Sequence, residues 1–100
     1  MSLRKKQSKF TRLVAHLIQH AYIMGYELTF GDAYAKDGHI KNSKHYVRLA
    51  IDLNLFKDGK YLTKTEDHEF LGLFWESLDS DCTWGGHFND GNHYSFWEYQ

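Results

Sequence analysis

One hundred residues make one domain, near the most common domain size, and 42% hydrophobic residues suffice for a core. Twelve basic against thirteen acidic residues give a net charge of -1, which argues against a general nucleic-acid binder. A single cysteine, Cys82, excludes an internal disulfide and suits a reducing compartment, and no apolar run reaches transmembrane length.

The first element is a helix. Phe10, Leu13, Val14, Leu17, Ile18 and Ala21 recur at helical spacing, with Ser8 as N-cap and Gly25 as stop, which predicts a helix over about 9 to 24. Residues 1 to 8, with Arg4, Lys5 and Lys6, read as a flexible, solvated start. Its histidines, His16 and His20, are four apart but lack the glutamate of a zincin helix, so they read as a solvated face. The aromatic, Thr-containing run Tyr26 to Tyr34 reads as a strand entering a loop.

Residues 35 to 44 are polar, with a turn at Asp37-Gly38. From Arg48 to Phe56, Leu49, Ile51, Leu53 and Leu55 alternate onto one face and leave Asp52 and Asn54 on the other, the pattern of a central strand. Lys57-Asp58-Gly59-Lys60 reads as a hairpin turn into Tyr61-Leu62-Thr63. A capping pattern from Thr65 opens a second helix at about 66 to 78, carrying Phe70, Leu71, Phe74, Trp75 and Leu78 at helical spacing. His68, near its start, reads as exposed, and Cys82 as a semi-buried loop residue. A Gly-rich loop and a closing strand near 93 to 97 complete an α+β domain, a small mainly antiparallel sheet with two helices.

The chemistry concentrates in two segments. Ser43 to Asp52 carries His45 and Asp52, seven residues apart, and the tail carries Asp90-Gly91-Asn92-His93. Two neutral imidazoles, one ligating carboxylate and a nearby acid/base carboxylate are what a catalytic zinc needs. A strand rises about 3.3 Å per residue. His45 and Asp52 can therefore meet only if the chain bends between them. Asp52 taken alone also fits the solvent face of a half-exposed strand, and Trp84-Gly85-Gly86 taken alone also fits a Trp-capped turn. Gly91 would let the backbone turn so that Asp90 and His93 face one cavity. His39 reads as a solvated loop residue within reach of substrate, and His87 takes a supporting or substrate role.

Together these segments resemble the zinc metallopeptidases that cut D-amino-acid bonds in peptidoglycan: D-Ala-D-Ala carboxypeptidases and dipeptidases, and phage L-alanoyl-D-glutamate endolysins. The family pattern is Ser-x-His-x-x-x-x-Ala-x-Asp, then Trp-Gly-Gly, then Glu or Asp-x-x-His. Ser43, His45, Ala50 and Asp52 match the first part, Trp84-Gly85-Gly86 the second, and Asp90 with His93 the third. Similar stretches run from about residue 8 to 97.

The resemblance implies a hedgehog/D-Ala-D-Ala peptidase-like fold with a zinc site on the sheet face. Zn2+ would be held by His45, Asp52 and His93, with Asp90 as general base. It implies substrate contacts at Ser43, Lys36, Trp84 and His87, with the peptidoglycan stem peptide as substrate. The expected enzyme is a monomeric endolysin, made in the cytoplasm without a signal peptide and acting on the wall after release. It would cut between L-Ala and D-Glu; a D-Ala-D-Ala carboxypeptidase and a non-catalytic wall-binding module are the alternatives. The sequence departs from the family twice. No arginine lies between Arg12 and Arg48, where the family carries one that stabilises the transition state, so Lys36 or Arg48 would have to supply that charge. Arg48 itself stands where the family often has glycine.

Overall fold

The computed structural model describes residues 1–41 and 43–97. The element order is α1 (Leu3–Ile23), β1 (Glu27–Phe30), β2 (Ala50–Lys57), β3 (Lys60–Leu62), α2 (Glu69–Leu78), β4 (Cys82–Trp84) and β5 (His93–Phe96). Single 3-10 turns sit at Lys44–Val47, Thr65–His68 and Gly85–Phe88. The expected α+β class, with two helices and an antiparallel sheet, is the observed one.

α1 is longer than its apolar stripe. It begins at Leu3, and Ser2 rather than Ser8 is its N-cap, with Ser2 Oγ accepting from Lys5 N–H. The basic segment read as flexible is therefore helical from Leu3. Its side chains also make tertiary contacts: Lys6 lies over the Trp97 ring and Gln7 donates to the Val47 carbonyl, and Lys9 just beyond it pairs with Asp79. Gly25, at a φ of 90°, ends the helix as expected, and Tyr26 N–H donates back to the Ala21 carbonyl in the 6→1 pattern of a Schellman cap.

β2 is the organising strand. β1 pairs with its second half on one side, while β5 and β3 share the other side. β4 closes the sheet against β5. The Asp58-Gly59 turn has both residues at positive φ, the combination a two-residue hairpin needs. Ile51, Leu53 and Leu55 are buried beneath α1 and α2, and Asp52 and Asn54 point to the opposite face, as their alternation predicts. Phe10, Leu17, Leu71, Trp75, Tyr94 and Phe96 complete this core. The Trp75 indole is satisfied inside it by the Ser95 carbonyl at 3.0 Å.

Four expectations are corrected here. Cys82 lies on β4 and is buried, and burial, reinforced by Asp79 and Asp81, raises its thiol to about 12, so it stays protonated. The second helix begins as the 3-10 turn Thr65–His68, with the Asp67 carboxylate accepting from Lys64 N–H, before α2 proper starts at Glu69. His20 stacks on Phe74 at 3.8 Å between centroids instead of facing solvent. His68 is 2% exposed and shares a 2.8 Å hydrogen bond with the Tyr94 hydroxyl. Helical spacing marks which face an α-helix buries, but His68 sits on the 3-10 turn and its burial is decided by β5.

Burial lowers the His68 pKa from 6.5 to about 4. Between those two values the unfolded chain binds the proton and the folded one refuses it. Stability is therefore complete above pH 6.5 and falls as pH drops toward 4, by about 3 kcal/mol from this group. In urea titrations across that window, His68→Gln is expected to lose about 3 kcal/mol less than wild type. Parallel pH curves for the two proteins would show that His68 contributes nothing to acid lability.

Candidate metal centre

The bend that His45 and Asp52 require is present. The chain leaves the loop through the 3-10 turn Lys44–Val47, capped by Ser43, whose Oγ accepts from His45 N–H at 3.2 Å. Arg48 then takes a left-handed conformation at a φ of 57° and redirects the chain into β2. Glycine adopts that conformation at no steric cost, which gives a physical reason for glycine to be common there in the resembled family. Ser43 thus holds the turn that carries His45. His45 comes to rest with Nε2 3.2 Å from Asp52 Oδ1.

β5 supplies the third member. Asp52 and His93 are directly opposite in the β2–β5 register, so their side chains leave the same face. His93 Nδ1 lies 3.4 Å from the same Asp52 oxygen and 4.0 Å from Asp90 Oδ2. The cluster is graded in exposure: His45 is 1% exposed, His93 12%, Asp52 19% and Asp90 52%. Asp90 stands at the rim, beside a polar pocket of about 190 Å³ that Asn54, Thr65 and Asn89 also line.

Trp84-Gly85-Gly86 builds the platform for Asp90 and His93. The buried Trp84 indole donates to the Gly91 carbonyl at 2.7 Å. A side chain at Gly85 would overlap the Asp90 carbonyl oxygen and press on the His93 Cβ. Gly91 has a different reason from the expected one. It is absent from the positive-φ positions, and its Cβ would meet Thr65 Cα at 2.6 Å, so it is required for close approach and not for turning.

Trp84 is only 6% exposed and its indole is turned inward to the Gly91 carbonyl, which does not present it for the substrate contact expected of it. His87 makes a supporting contact: its Nε2 lies 2.8 Å from Glu76 Oε2, which also accepts from Trp84 N–H. It clasps this loop to α2. Arg48 places its guanidinium 3.9 Å over the Tyr34 ring, in an apolar groove shared with Ile51, whose side chain leaves β2 on the face opposite Asp52. That placement does not bring it to the cluster as the expected catalytic charge. Lys36 is exposed on the loop.

The structure adds a residue that motif spacing did not select. His39 stacks on His45 with ring centroids 4.2 Å apart. Candidate ligand atoms of His39, His45 and Asp52 all lie within 4.8 Å of one another, and this group could hold a metal ion. His93 reaches the same Asp52 oxygen but falls outside that tightest set. His39 lies six positions before His45 in a mainly polar run, and no motif spacing singles it out.

The donors suit a metal chemically. Desolvation holds His45 below its ordinary pKa, against the pull of Asp52, which keeps it in the neutral form a metal requires. Its Nδ1 is buried without a hydrogen-bond partner among the described residues. No protein-family model matches the chain, and no curated protein matches it either.

Gly85→Ala is expected to cost about 1–3 kcal/mol through the overlap at Asp90. In NMR spectra of the variant the His93 ring signals should move while those of His68 stay in place. Unmoved His93 signals would show that Gly85 does not position that imidazole.

Proposed function

We propose that this chain is a zinc-dependent peptidoglycan peptidase that cleaves the L-Ala–D-Glu bond of the stem peptide. The observation that carries the reading is the convergence of His45 Nε2 and His93 Nδ1 on one oxygen of Asp52, with Asp90 beside them at the solvent edge. Imidazole and carboxylate donors are the set that catalytic zinc uses. His45, Asp52 and His93 would hold the ion. When bound, zinc acidifies water and polarises carbonyl groups.

The protein's own groups divide the remaining work. Asp90 is half-exposed, so its carboxylate can meet both solvent and substrate. It takes a proton from the attacking water and delivers it to the leaving amine, the exchange a peptide bond needs for its nitrogen to depart. Asp52 fixes the orientation of both imidazoles. Ser43 holds the turn that carries His45. The polar pocket beside Asp90 offers amide and hydroxyl groups to a peptide backbone.

One observation favours a second reading. With Arg48 stacked on Tyr34 and Lys36 exposed on the loop, no guanidinium among the described residues stands over the cluster. A zinc-stabilised module that binds wall without cutting it would need none.

Mass spectrometry of purified peptidoglycan digested with zinc-loaded protein, beside a chelated control, separates these readings. New amino termini at D-Glu that depend on zinc are expected, with Asp90→Ala lowering the rate by about 10²–10⁴ and leaving zinc bound. Release of terminal D-Ala alone would make the protein a carboxypeptidase. Wall bound and never cut would leave the binding module.

A further inference from the structure

His39 belongs to neither of the motifs that supply His45, Asp52 and His93, yet it is held at several points. Its backbone N–H donates to the Tyr46 hydroxyl at 2.8 Å, and that hydroxyl donates to the His39 carbonyl at 2.7 Å. One side chain thereby satisfies both backbone groups of a loop residue. The ring lies on His45, and its Nε2 is 3.0 Å from Asp32 Oδ2. Asp32 is fixed in turn, since its carbonyl accepts from Asp52 N–H at 2.9 Å. The loop carrying Asp32 and His39 is thus pinned to the two elements that carry Asp52 and His45.

A solvated loop histidine requires none of these contacts. A carboxylate behind one ring nitrogen has a specific consequence: Nε2–H donates to Asp32, and the lone pair resides on Nδ1. Carboxylates orient metal-ligating histidines in this way, fixing the tautomer and the ring plane. We propose that His39 is a fourth protein ligand of the metal in the resting protein, with Asp32 as its positioning residue. The inference rests on the reading that this cluster holds a metal. Three protein ligands leave a coordination position open, and four close a tetrahedral shell. His39 therefore takes the position that an open site leaves to water, and the catalysis proposed above requires its imidazole to leave the metal when water or substrate binds.

The test is metal binding, read apart from activity. Zn2+ affinity is measured by chelator competition, and the visible spectrum of the Co2+-loaded protein reports coordination. Wild type, His39→Ala, His39→Gln, Asp32→Asn and His45→Ala are compared, with urea midpoints as the check on folding. Loss of His39 is expected to weaken Zn2+ binding at least 10-fold and to weaken the Co2+ visible band as water replaces the imidazole. Asp32→Asn is expected to weaken Zn2+ binding about 10-fold. His39 variants with wild-type affinity and spectrum, beside a His45→Ala protein that has lost the metal, would overturn the role of His39 alone. Folded wild-type protein that takes up neither Zn2+ nor Co2+ would overturn both this inference and the zinc-peptidase reading.

Discussion

The antiparallel pairing of β2 with β5 is the constraint on which the rest of the molecule depends. It places Asp52 opposite His93 on one face and Ile51 opposite Tyr94 on the other. Because side chains alternate strictly along a strand, the same register that buries Ile51 and Tyr94 beneath the helices presents the carboxylate and the imidazole together. A slip of one residue would put Asp52 into the core and expose Tyr94. Hydrophobic burial therefore enforces the geometry of the polar cluster, although none of the core side chains belongs to it.

The remaining members of the cluster arrive through short, irregular segments locked at both ends. The Lys44–Val47 turn is capped by Ser43 on one side and bound by Gln7 of α1 on the other. The Gly85–Phe88 turn is tied down by Trp84, and Glu76 gathers Trp84 N–H and the His87 ring from α2. Side chains that family-like spacing suggests for substrate contact thus serve as scaffold. Their chemistry is spent on fixing the backbone that carries Asp90 and His93. Rigid support of this kind is what a metal site requires, since ligands must be held near their productive geometry before the ion binds.

Exposure is graded across the cluster. His45 lies deepest and is kept neutral by its burial, the condition for ligation. Asp90 lies outermost, where a proton-transferring group can meet water and substrate. The groove of Phe10, Val14, Ile51, Tyr34 and Arg48 lies on the helix side of the sheet, and its apolar lining has no part in this arrangement.

Periodicity in the sequence determined both helices, the central strand with its buried and polar faces, and the hairpin at Asp58-Gly59, because each depends on contacts or conformations local to a few residues. The resemblance singled out His45, Asp52, Asp90 and His93, and the fold brings these four side chains together. Other features depended on partners far away in the chain. Whether residues 3–8 were helical rested on Trp97 and Val47. The burial of His68 rested on Tyr94, and the scaffold role of Trp84 on Gly91, Gly72 and Gly86. His39 reached the cluster only because Asp32 and Tyr46 met it there, a convergence of side chains that no spacing along the chain encodes. Local pattern decides which face a residue occupies, and only the closed sheet with its pinned loops decides what it touches.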